Sequence, residues 1–359
     1  MKVASLCVCF LLAIAFGVMS GGPLGYIQTN LVSDGAVTAN TIDPDLKNPW
    51  GISFGPTTPF WIADNGTSLS TLYNGLGVKQ GLVVSMPTTG GDPTGTVFNG
   101  TSANFMGDRF LFATESGTIN GWQGGTSALI RASPPGAVFK GLAIDGDRIY
   151  ATDFVNGTVD VFNSSYTEIS VPGKFLDPSL PSGYAPFGIQ DIGGKIYVAF
   201  AKQGGGIDEA DGPGFGYVDV FDRDGNLLQR LVSGGALNAP WGLALAPAGF
   251  GDLGGLLLVG NFGDGMINAY DPSTGAFVDS LRDPAGNPIV IDGLWGLDFG
   301  KGAAGFSSNK LYFTAGLNDE ADGLFGSLEA VPEPATVLLV AAGVGLIALF
   351  RKRATSQQS

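Results

Sequence analysis

Five segments of this chain end on an aromatic residue at the same position of a repeating pattern: Tyr73, Trp122, Phe162, Phe221 and Tyr270. Three segments carry a Trp-Gly pair upstream of such an end, at Trp50-Gly51, Trp241-Gly242 and Trp295-Gly296. A repeat of roughly 40–60 residues restricts the fold severely, because one unit cannot bury its own apolar faces and must stack on its neighbours. Four-stranded units of that period close into a ring, the β-propeller. Composition agrees: 58 Gly and 21 Pro in 359 residues, with 14% charged, suit many short strands joined by tight turns.

Each unit has a Gly-led inner strand, a second strand ending in polar residues, and a third strand of the form Gly-x-apolar-acid/amide-small-aromatic. Gly157 to Phe162 and Gly216 to Phe221 are the clearest copies of the third strand, and their alternation suits a strand packed between neighbours. Inner strands are expected near Gly51, Gly141, Gly188, Gly242 and Gly296, with a weaker unit containing Phe110 to Trp122 in the long gap after the first. The spacing predicts an all-β six-bladed β-propeller over residues 26–331. Its last third strand is expected at Gly326 to Val331, with Val331 in the aromatic slot and no chain left for a fourth strand. Thr29 to Gly35, which precedes Pro49-Trp50-Gly51, matches Gln229 to Gly235, which precedes Pro240-Trp241-Gly242. The N-terminal strand is therefore expected to complete blade six and remove the free edge.

The net charge is −14, and four of the 18 basic residues, Lys2, Arg351, Lys352 and Arg353, lie near the ends, so the body is more acidic still. Such a surface argues against nucleic acid as a partner and is compatible with Ca²⁺, cationic or neutral ligands. Histidine is absent. That excludes Ser-His-Asp and Cys-His catalysis and His-ligated metals.

Residues 1–22 read as a secretory signal peptide: Lys2, an apolar run from Val3 to Val18, and small residues before Gly21. The two cysteines, Cys7 and Cys9, fall inside that run, so neither disulfide nor thiol chemistry is expected in the mature chain. At the other end stand Pro332-Glu333-Pro334, an apolar stretch from Ala335 to Phe350, and the cluster Arg351-Lys352-Arg353. Sixteen helical residues rise only ~24 Å, a minimal transmembrane anchor helix whose flanking cations snorkel to the interface. This tail, residues 332–353, resembles the PEP-CTERM sorting signal of Gram-negative bacteria. The resemblance implies processing by an exosortase and delivery to the cell surface or an extracellular matrix, with membrane attachment before processing. Because the tail follows a third strand directly, the chain is expected to leave on the face opposite the loops that join second and third strands, and those loops to point away from the membrane.

Those loops are polar and acidic, and they supply the candidate site residues. Asp64, Asp153, Asn261 and Asp264 sit in hairpins where Asn-Gly and Asp-Gly also serve turn geometry. Asp-Glu-Ala-Asp-Gly occurs twice, at Asp208 to Gly212 and Asp319 to Gly323. Asp208, Asp211, Asp319 and Asp322 are therefore candidate Ca²⁺ ligands, against a reading as solvated turns. Trp50, Trp241 and Trp295, with Phe187 in the same slot, either wedge between blades or line the channel mouth, where they would stack on sugar rings.

Segments Asn238 to Pro247, Val259 to Gly265 and Asp292 to Gly296 resemble an uncharacterised family of exported bacterial propellers with NHL-like repeats, often bearing PEP-CTERM tails. The resemblance implies the fold and export and brings no reaction with it. Two functions stand open: a binding or scaffold module offering an acidic face to a glycan or protein ligand, and a Ca²⁺-dependent lactonase or esterase-like hydrolase with Asp64, Asp153, Asn261 and Asp319 around one ion at the channel mouth.

Overall fold

In every blade the inner strand carries a glycine at one fixed position, and the reason is the neighbouring blade. A Cβ added to Gly51, Gly95, Gly141, Gly188, Gly242 or Gly296 would lie 1.9–2.8 Å from a backbone atom of the next blade's inner strand, the last of them meeting blade one. This ring appears in a computed structural model that describes residues 25–300 and 306–331, the expected signal peptide and the sorting tail lying outside them. The described residues form six antiparallel sheets, each built outward from one inner strand. The inner strands are Pro49–Ser53, Pro93–Phe98, Phe139–Asp145, Tyr184–Ile192, Pro240–Leu245 and Leu294–Phe299. Each lies beside the next in chain order, and the sixth lies beside the first, so the ring is closed. Pro93–Phe98 is the inner strand of the weak second unit, with Gly95 in the ring position.

Closure is by the N-terminal strand. Tyr26–Ser33 pairs antiparallel with Asp322–Ala330, from Tyr26 opposite Ala330 to Ser33 opposite Leu324, with one irregularity between Asn30 and Val32. Thr41–Ile42 adds a short parallel pair outside it.

The repeating aromatics fill the gaps between blades. Tyr73 packs with Tyr312 and Phe325 between blades six and one, Trp122 with Trp61 and Phe110 between one and two, and Phe162 with Phe139 between two and three. Phe221 and Tyr270 occupy the next two interfaces. The sixth slot corrects the sequence register. Phe162 faces Ile149 across its hairpin; the equivalent pair in blade six is Leu311 and Leu328. Leu328 also sits in the cluster between blades five and six. The slot is thus Leu328, not Val331, and the third-strand repeat begins at Gly323, three residues earlier than expected. The sequence misled because Gly326-Ser327-Leu328 imitates the opening Gly-x-apolar, while no aromatic marks the end.

Candidate functional site at the channel mouth

The loops joining second and third strands meet the turns that precede the inner strands, all at one end of the ring. Backbone hydrogen bonds fix them in pairs: Asn65 N to Asn48 O at 3.1 Å, Glu115 N to Asp92 O at 3.1 Å, Phe154 N to Val138 O at 3.0 Å and Phe262 N to Ala239 O at 3.0 Å.

At this end the channel is filled by aromatic rings. Trp50 and Trp295 stack at 3.5 Å, Trp241 stands edge-on to both, at 6.1 and 5.8 Å, and Phe187 and Phe262 close around Trp295 at 5.8 and 4.2 Å. Trp50 is 1% and Trp295 0% exposed, while Trp241 and Phe262 keep a partly open face. The tryptophans therefore gather at the channel mouth and not between blades, with Trp50 and Trp295 closed off and Trp241 keeping a partly open face. They meet one another at the centre of the ring, because the residue before the ring glycine points inward in blades one, four, five and six.

Blade three places Lys140 in that slot. A buried ammonium needs a partner. Lys140, 2% exposed, donates to Glu115 Oε1 at 2.5 Å, and its charge lies 5.1 Å from the Trp50 ring. Asn65 donates to the other oxygen of Glu115 at 2.9 Å. Trp241 Nε1 donates to the Lys140 carbonyl at 2.9 Å.

Two further glutamates come from the repeated pentapeptide. In blade four Asp208–Ala210 is a strand paired with Lys195–Gly205, and Glu209 faces Gln203 across it. Burial pushes Glu209 up to about 7, Lys140 opposing and Glu320 and Asp208 reinforcing the rise. In blade six the same five residues fold differently: Asn318, Asp319 and Glu320 all have positive φ, at 55°, 51° and 64°. Three successive non-glycine residues in the left-handed region are costly and persist only where the surroundings hold them. The holding contacts are Asn318 N to Asp292 Oδ2 at 2.8 Å and Asn48 Nδ2 to Glu320 Oε2 at 2.5 Å. Asn48 in turn accepts from Trp295 Nε1 at 3.1 Å. Burial also raises Glu320 above the usual carboxylate range, against the Asn48 hydrogen bond.

Beside this network lies a cavity of about 260 Å³ whose lining includes Asp211, Phe262, Asp292, Asp319 and Glu320, with no basic side chain. Among the described residues no three acidic side chains come close enough to share a metal ion. Of the pentapeptide aspartates, Asp211 and Asp319 reach this cavity. Asp208 is exposed on its hairpin, and Asp322 is taken by Lys47 at 3.1 Å and Asn318 at 2.7 Å. Asp64, Asp153, Asn261 and Asp264 are used inside their own hairpins: Asp64 accepts from Thr71 N at 2.8 Å, Asp153 from Asn156 Nδ2 at 2.7 Å, and Asn261 donates to Asp264 Oδ1 at 3.0 Å. The spacing that singles out aspartates misses the glutamate between them. It also misses Lys140, whose signal was a lysine directly before a ring glycine.

The chain is 34% identical over 335 residues to an uncharacterized protein of Acanthamoeba polyphaga mimivirus, covering 85% of this chain and 79% of that one. The chain belongs to that protein's family. A second uncharacterized mimivirus member is also 34% identical, over 83% of this chain and 84% of its own length. Residues 330–354 match the PEP-CTERM protein-sorting motif, the recognition signal for exosortase processing, and so mark the family member described here for export to the cell envelope or surface. Similar solved structures include a virginiamycin B lyase from Staphylococcus aureus, with TM-score 0.53 and 15% identity over 86% of this chain and 100% of that one. A glucose dehydrogenase gives 0.54 and 14% over 84% and 98%. At such identities the likeness is one of fold. No helix among the described residues is long and apolar enough to cross a membrane, and Ala335 to Phe350 lie outside them.

Proposed function

We propose that the protein is an exported binding module whose loop face takes a cationic organic group, an amine or guanidinium carried by a small molecule or a peptide. The sorting motif supports a Gram-negative host, a single-pass anchor before exosortase cleavage, and a surface or matrix location thereafter. The observation that carries the ligand class is the 260 Å³ cavity, with four carboxylates in its lining and the Phe262 ring stacked on Trp295. Carboxylates too dispersed to share one metal ion suit a cation with several spread N–H donors, and an aromatic face adds cation–π attraction.

The test is calorimetric titration of the full-length chain with putrescine and with arginine amide. Saturable binding is expected, weakened by added salt and weakened about tenfold, equivalent to ~1.4 kcal/mol, in both Asp292→Asn and Glu320→Gln. Amine binding that is unchanged in both variants would overturn the assignment, as would its absence at low ionic strength.

A further inference from the structure

The inner strands run parallel, so their C-terminal ends gather at the opposite end of the channel, beyond the aromatic plug. There a second mouth opens as a cavity of about 160 Å³, lined from five of the six blades. Its polar groups are Ser53, Thr96, Gln190, Asp191 and Asp298, and Phe54 and Phe98 contribute to a wall that is otherwise aliphatic. Gln190 also lines the narrower space of about 30 Å³ that continues inward, as do Ile52 and Thr96, so these three residues border both spaces.

Among Ser53, Thr96, Gln190 and Asp191 part of the hydrogen-bonding capacity is open, and it is mixed in sign. The Gln190 side chain takes no hydrogen-bond partner among the described residues, which leaves two donors and an acceptor open. Ser53 Oγ and Thr96 Oγ1 are 3.0 Å apart and nearly buried; their mutual bond uses one hydroxyl proton and leaves the other to donate. Asp191 spends one oxygen on Gly194 N at 2.9 Å, leaving its other oxygen to accept. A metal ion or ammonium would satisfy Asp191 and leave the amide protons and the one remaining hydroxyl proton without acceptors. An anion would face two aspartates. Hydroxyl groups both donate and accept, and several of them on one small ring satisfy the whole set. A cavity of ~150 Å³ admits a ring of benzene size, so the bare ring fits and its hydroxyls must reach toward the polar lining and the open mouth.

We propose that this second mouth binds a neutral polyhydroxylated six-membered ring, a single pyranose unit either free or at the end of a glycan chain. The apolar wall covers the C–H face of the ring while the Gln190 amide, the Ser53–Thr96 hydroxyl pair and the Asp191 carboxylate take its hydroxyl edge. No lining residue is shared with the amine cavity, so the two sites answer to separate variants.

The full-length chain is titrated by calorimetry with glucose, galactose and mannose, and with oligosaccharides ending in each. At least one is expected to bind saturably, and Gln190→Leu, which keeps the side-chain bulk, to weaken it at least tenfold while Asp292→Asn leaves it unchanged. Binding of the free sugar identifies the ring itself as the ligand. Binding of oligosaccharides alone identifies the chain end. Absence of any binding that depends on Gln190 overturns the proposal, as does displacement of the sugar by methylammonium. Retained amine binding in Gln190→Leu separates loss of the site from loss of the fold.

Discussion

At Gly188 an added Cβ would lie 1.9 Å from the Trp241 carbonyl oxygen, and at Gly124 it would meet nothing. Gly188→Ala must therefore move the backbone of a neighbouring blade, at a cost of about 1–3 kcal/mol. Gly124→Ala is expected to stay within about 0.5 kcal/mol of the parent. Urea midpoints measured side by side check this, and equal midpoints would remove the steric account of the ring. The repeat made Gly51, Gly242 and Gly296 visible in the sequence as the second half of Trp-Gly and Gly188 as its Phe-Gly counterpart, but their purpose concerns the adjacent blade and only a closed ring reveals it. The glutamates were hidden for a different reason. Asp-Glu-Ala-Asp-Gly forms a strand in blade four and a left-handed turn in blade six, so the same word places its side chains by two local geometries. Repetition pointed to two loops at the channel mouth, and local conformation decided which of their carboxylates reach it.

Among the elements, the closing strand Tyr26–Ser33 was the most legible, because its sequence copies the strand before Trp241. Its removal would leave Asp322–Ala330 with a bare edge and uncover Tyr312 and Phe325, both 0% exposed in the intact ring. A bare apolar edge recruits strands from other molecules. A chain shortened to begin after Ser33 is expected to associate with rising concentration in light scattering, and a synthetic peptide of residues 26–34 to restore the monomer. A truncated chain that stayed monomeric without the peptide would show the seam to be dispensable. The register of blade six was less legible, since it depends on hairpin pairing and lacks the aromatic that marks the other five units.

On the scale of the whole molecule, the acidic composition predicts a stability optimum on the acid side of neutrality. Burial raises Asp160 to about 6, Glu209 to about 7 and Asp219 to about 8, from ordinary values of 3.8, 4.5 and 3.8. Between the ordinary and the raised value such a carboxyl holds its proton in the folded chain and loses it in the unfolded one, so stability falls as pH rises through that window. Asp147, Asp222, Asp279 and Asp283 are lowered, and their contribution is lost only as pH drops below 3.8. The melting temperature is therefore expected to be several degrees higher near pH 5 than near pH 8.5 in a calorimetric scan. A flat or inverted profile would contradict the burial of these groups. The seam adds a consequence of its own. Tyr26 and Ala330 lie opposite each other at the two ends of the propeller segment, so the strand made first waits for the strand made last. Closing so long a loop is slow and is rewarded only at the end. The ring thus reports on its own completeness: a chain broken off before its final blade has nothing for its first strand to grip, and stays recognisable as unfinished.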